Sequence, residues 1–182
     1  AATFEARVAE PAFEYITDTP AAPETMTVLL VEPEKYPRPV EIGTGLEDLQ
    51  SAVGGFIEVT YPFDDPVGLV MNEEGKIEGL PLNRALRDDE GQIYDVVAGS
   101  FLVVGLTEDS FGSLTPDQLQ KFEQQFHQPE VFVRMGKGIM ALPIPDEAME
   151  VRQEKAMEAV KDAVKPEMPD KKPHKKVKEE SL

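Results

Sequence analysis

The chain has 182 residues, 35 Asp and Glu against 18 Lys and Arg, and no cysteine, so its formal net charge is −17. That composition excludes disulfides, thiolate metal sites and cysteine nucleophiles, and a body this acidic repels nucleic acid and membrane surfaces. At 41% hydrophobic the chain can build one core, and no apolar run approaches the ~20 residues needed to span a bilayer.

Residues 1–25 mix Phe4, Phe13 and Tyr15 with acids, Ala, Thr and Pro, and read as an N-terminal arm. They lack the basic-then-apolar pattern of a secretory signal, so a cytoplasmic location in a bacterial host is expected. The core domain is expected over 26–142. Thr27 to Val31 is an apolar, β-rich run stopped by Glu32-Pro33, and Pro39 to Ile42 alternates as an edge-type strand. Thr44-Gly45-Leu46-Glu47 has capping-box spacing, and the helix it opens carries Leu46, Leu49 and Val53 before stopping at Gly54-Gly55. Phe56 to Tyr61 alternates as a strand, ended by Pro62.

Gly68–Met71 and Lys76–Gly79 flank Asn72-Glu73-Glu74-Gly75, which reads as a hairpin turn. Leu82 to Leu86 reads as a short helical turn, Arg87 to Gln92 as a polar loop, and Phe101 to Gly105 as a central strand. Thr115, Pro116 and Gln118 start a second capped helix whose Leu119, Phe122 and Phe126 share a face. Val131 to Val133 is a short strand candidate, and residues 143–164 hold a long polar helix with a thin apolar stripe. The lysine-rich tail, 165–182, is expected to be disordered. This order predicts an α+β fold: a mostly antiparallel sheet, two capped helices on one face, and a C-terminal polar helix.

No catalytic signature is present, and no enzyme, cofactor or metal site is expected. His127 ends a predicted helix, where a cationic ring complements the dipole, and His174 lies in the lysine tail. The acid groups Asp64-Asp65, Glu73-Glu74 and Asp88-Asp89-Glu90 fall in three turns between predicted strands. Adjacent acids in turns are most often simply solvated. A second reading is a surface whose carboxylates stand where phosphates would; a third is a metal or general acid–base cluster, although the ligand order of a calcium loop is missing. Gly43-Thr-Gly45 and Gly136-Lys-Gly138 lack nucleotide-loop frames and read as turns. The charge is also split: from Val164 to Leu182 six lysines face four acids, +2, leaving −19 on Ala1 to Ala163. Lys171 to Lys178 would be a weak, nonspecific contact to nucleic acid.

Val28 to Pro33, Leu49 to Val59, Asn72 to Lys76, Gly79 to Arg87, Ile93 to Gly99 and Phe101 to Leu106 come as ordered blocks. Between Met26 and about Lys137 they resemble a family of uncharacterised domains from phages, integrative elements and Gram-positive gut bacteria. The domain has no assigned chemistry; its Gly79–Arg87 block makes Asn83 and Arg84 candidate polar contact groups. The whole chain is also similar to type II-A anti-CRISPR proteins. That resemblance implies inhibition of an RNA-guided CRISPR nuclease by binding it, alone or with its guide RNA, and blocking DNA binding or cleavage. Such a nuclease holds its duplex in a positively charged channel, which an acidic protein suits. The expected contact surface is Asp64, Asp65, Glu73, Glu74, Asp88, Asp89 and Glu90. Two alternatives stand beside it: an acidic interaction module of a mobile element with no nuclease target, and a carboxylate- and metal-dependent hydrolase.

Overall fold

The computed structural model describes residues 24–164, so residues 1–23 of the expected N-terminal arm and the whole lysine-rich tail lie outside the described residues, while Thr25, expected to end the arm, already belongs to the first strand. Fourteen elements follow in order: β1 (Thr25–Val31), β2 (Arg38–Gly43), α1 (Leu46–Val53), β3 (Ile57–Thr60), β4 (Val67–Asn72), α2 (Gly75–Glu78), β5 (Leu82–Arg87), β6 (Ile93–Ala98), β7 (Phe101–Leu106), β8 (Phe111–Gly112), α3 (Pro116–Gln125), β9 (Glu130–Met135), β10 (Gly138–Pro143) and α4 (Asp146–Val164). The class is α+β, with every strand pair antiparallel.

The main sheet runs β2-β1-β7-β4-β3, with β8 added to β7. The apolar run Phe101–Leu106 is its middle strand, as its composition predicts for a strand buried on both faces. Because side chains alternate across a strand, the sheet divides its apolar residues between two cores. Val28, Val70, Leu102 and Val104 meet Leu49 and Val53 of α1 on one face. Leu29, Val31, Val67, Leu69, Phe101 and Val103 meet Phe122 of α3, Phe126 at its C-terminus, and Leu86 and Val97 of the β5–β6 hairpin on the other. The two capped helices, expected on one face, therefore cover opposite faces. A strand buried on both sides needs a cover for each, and one helix per face supplies it.

Local details also depart from the sequence expectation. The N-cap of α1 is Gly45, one residue beyond Thr44; the Gly45 N–H donates to the Asp48 carboxylate at 3.2 Å, so Asp48 rather than Glu47 closes the first turn. Gly54 ends the helix at φ 80°, a conformation glycine adopts without strain. The Asn72–Gly75 hairpin does not form. β4 pairs with β3 and β7, and the chain after it turns into the short helix α2, whose Gly75 packs on Ala98 with no room for a side chain. Leu82–Arg87 is a strand paired with β6, not a helical turn.

The cap of α3 is as expected: Thr115 Oγ1 accepts from the Gln118 N–H at 3.1 Å, and the Gln118 side chain accepts from the Thr115 N–H at 2.9 Å. Burying Phe122 contributes about 2–3 kcal/mol. The β9–β10 ribbon continues past Gly136, and α4 meets the body through buried Met149, while Val151, Met157 and Val160 of its thin stripe face solvent. No helix of the described residues is long and apolar enough to cross a membrane.

Candidate interaction surface

The block Asn83-Arg84, expected at a partner contact, is instead a buried node. Asn83 is 0% and Arg84 1% exposed. The Asn83 side-chain amide donates to the carbonyls of Val31 and Gly99, both at 2.9 Å, tying the end of β1 to the β6–β7 turn. Its oxygen accepts from Arg84 Nη1 at 2.9 Å. The Arg84 guanidinium continues outward: Nε donates to the Phe126 carbonyl at 2.9 Å and Nη2 to the Lys35 carbonyl at 2.7 Å. Burial pushes the Arg84 pKa down to about 10, with the charge of Glu130 acting the other way. A buried cation held by carbonyl oxygens serves the fold; Asn83 is wholly covered, and Arg84 shows only an edge of its side chain to a cleft.

Glu130 is a residue that sequence reasoning missed. Its side chain is nearly buried and accepts from the Ala85 N–H at 3.1 Å and from Arg87 Nη2 at 2.7 Å, so it joins β9 to β5. Nothing local marks it, because its partners lie some forty positions earlier in the chain. With Phe63, Tyr94, Phe126 and His127 these arginines line a cleft of about 430 Å³. His127 sits at the end of α3, Nδ1 3.0 Å from the Glu123 carboxylate, its ring stacked on Tyr36 at 4.7 Å. The Tyr36 hydroxyl donates to Asp146 at 2.8 Å; that bond, with burial and the nearby charges of Asp146 and Glu150, raises its pKa.

The seven turn acids separate into two roles. Asp65 pairs with Lys121 of α3 at 2.7 Å, and Asp88 Oδ1 accepts from the Glu90 and Gln92 N–H groups, both at 2.9 Å, shaping the β5–β6 turn. Asp64, Glu73, Glu74, Asp89 and Glu90 are exposed, with no ion pair among the described residues. They do not form one cluster. Asp64-Asp65 precedes β4 and Glu73-Glu74 follows it, so the two pairs stand at opposite ends of one strand, while Asp88–Glu90 caps a separate hairpin. Among the described residues no three His, Asp or Glu side chains come together as a metal-holding group.

The Glu73–Glu74 corner has apolar neighbours. Phe56 is 67% and Ile77 86% exposed, and Phe56, Glu74 and Glu78 line one shallow concavity. The Glu73 N–H donates to the Phe56 carbonyl at 2.9 Å, and the Glu74 N–H to Asn72 Oδ1 at 2.8 Å. Asn72 in turn donates to the Val53 carbonyl, which fixes this corner to the end of α1. Exposed aromatic and aliphatic groups ringed by carboxylates suit a partner that is both basic and apolar.

No curated protein and no solved structure matches the chain. The family model described as a domain of unknown function (DUF3846) matches residues 26–127, from β1 to the end of α3, leaving the β9–β10 ribbon and α4 beyond it. More than half of the sequence lies within that match, and the chain belongs to this family.

Proposed function

We propose that this protein acts by binding, without chemistry of its own, and that its partner is the RNA-guided nuclease of a type II CRISPR system, whose DNA binding or cleavage it blocks in the bacterial cytoplasm. The observation that carries the reading is the set of exposed turn carboxylates, Asp64, Glu73, Glu74, Asp89 and Glu90, held on a body with a net charge of −19. The resemblance to mobile-element domains and to type II-A anti-CRISPR proteins selects this partner among basic ones. Carboxylates on stiff turns oppose a channel built for phosphates, and their field raises the association rate.

The test is capture of guide-loaded nuclease by the protein, run beside a DNA-cleavage assay at two salt concentrations. Capture and loss of cleavage are expected, both weakening as salt shortens the ~10 Å screening length found at 0.1 M. Replacing Glu73, Glu74, Asp89 and Glu90 together by their amides should reduce capture at least tenfold. Neither capture nor inhibition would remove the proposal, and inhibition indifferent to salt would remove charge mimicry.

A further inference from the structure

The two edges of the main sheet are built differently. β2 carries Pro39, which has no N–H to offer, and Arg38 beside it, both common guards against strand addition. β3 has neither proline nor a basic residue between Ile57 and Thr60. The bond from the Glu73 N–H to the Phe56 carbonyl sets the phase of its ladder with β4. Counting along the register Ile57↔Asn72 to Thr60↔Leu69, Phe56, Glu58 and Thr60 turn their peptide groups toward β4. Ile57 and Val59 turn theirs outward, and no strand among the described residues pairs with them. Thr60 Oγ1, at the end of this strand, is the buried side-chain polar atom without a hydrogen-bond partner among the described residues.

The two faces of this edge differ in chemistry. Ile57 and Val59 pack toward α1, while Glu58 is exposed on the opposite face and lines a small cavity with Glu73 and with the ion pair of Lys76 and Asp95, which leaves the two glutamates as its uncompensated charges. Phe56 and Tyr61, 67% and 59% exposed, stand at the two ends. A strand laid along β3 would therefore find apolar neighbours on one face and carboxylates on the other.

We propose that β3 is a docking edge for an extended basic segment of a partner protein, one that alternates apolar residues with Lys or Arg and adds a strand through main-chain hydrogen bonds. Two β3 strands facing one another would bring together two copies of a chain of net charge −17, with Glu58 on both sides of the seam. A basic segment is favoured over a second copy for that reason. This deepens the binding reading above by giving its partner a strand and a register, but it is tested without the nuclease.

The probe is a fluorescein-labelled, N-acetylated peptide of four Val-Lys repeats, titrated with the full chain and followed by fluorescence polarisation. Saturable binding is expected. Glu58→Lys should weaken it at least tenfold, whereas Glu41→Lys on the guarded β2 edge should change it less than twofold. Two further peptides, N-methylated on every valine or on every lysine, block the amides on opposite sides of the added strand. Against the unaltered protein their affinities should differ at least tenfold, because only one side faces β3. Equal affinities for the two, or indifference to Glu58→Lys, would reduce the contact to simple charge attraction and overturn the proposal. A dimer of the protein alone that the peptide dissolves would assign the edge to a second copy and overturn it as well. Failure to capture the nuclease touches only the earlier reading, since no nuclease enters this assay.

Discussion

Arg84 Nε donates to the carbonyl of Phe126 at 2.9 Å, across 42 positions of sequence, so the cation of β5 closes the C-terminal end of α3. The same guanidinium reaches Lys35 in the β1–β2 turn and Asn83 beside it. Three separate segments are therefore referred to one side chain. The block that looks most like a binding motif is where the two layers are fastened together.

Arg84→Met should leave the carbonyls of Phe126 and Lys35 and the Asn83 side chain short of a donor in a buried place. A loss of about 3 kcal/mol is expected, or roughly 10 °C in Tm, read by thermal unfolding. The folded pKa of Arg84, about 10, lies below the unfolded value, so the cost of burying its charge is constant while both states are protonated and fades as pH rises through about 10. The Tm gap between the two proteins should accordingly stay level from about pH 6 to 9. A gap under 2 °C, roughly half a kcal/mol, would show that the node is dispensable.

Asp88 and Asp89 are adjacent acids with opposite expectations. Asp88→Ala removes the acceptor of two turn amides and should cost about 1 kcal/mol in urea unfolding. Asp89→Ala should change stability by less than about 0.5 kcal/mol, as an exposed surface replacement does. Equal costs for the two would mean that the turn is not held by Asp88.

Thr115→Ala should lose about 1 kcal/mol, because the Gln118 N–H then has no side-chain acceptor. Thr44→Ala should be nearly silent, since Gly45 and Asp48 close α1. Equilibrium unfolding of the two variants distinguishes these outcomes directly.

Tyr36 ties α4 to the β1–β2 turn through Asp146, and its phenol pKa is raised by that bond. A folded pKa above the unfolded value means that the contribution is present below about pH 10 and is lost as pH climbs through the folded value. Amide exchange in the first turns of α4 should accelerate in that window beyond the ordinary rise with hydroxide. In Tyr36→Phe it should already be fast at neutral pH; slow exchange there would show that buried Met149 and the Arg152–Glu34 ion pair hold the helix without the phenol.

The features legible in the sequence are those written locally. Thr115-Pro116-Asp117-Gln118 specifies a helix start within four residues, Gly54 a stop, and the uninterrupted apolar run at Phe101 a strand covered on both sides. Leu82–Arg87 was misleading because Leu, Arg and Ala favour helices, whereas the strand is imposed by its ladder with β6 and by distant partners such as Val31, Phe126 and Glu130. Gly75 suggested a hairpin for a similar reason: a turn glycine signals a change of direction without saying that β4 already has β3 and β7 as neighbours. At the candidate surface, the acids were legible as turn residues. Their division into turn-forming Asp88, paired Asp65 and exposed Asp64, Glu73, Glu74, Asp89 and Glu90, with no ion pair among the described residues, depends on contacts that spacing does not encode. The open edge at β3 depends on sheet order, which no local pattern states.

Because β4 is hydrogen-bonded along both sides, it acts as a ruler between Asp64-Asp65 and Glu73-Glu74. At ~3.3 Å per residue those two pairs are held on the order of 20 Å apart, and no loop movement can draw them together without breaking the sheet. A partner that engages both must bring two cationic patches at that fixed separation. A partner with one patch must choose an end.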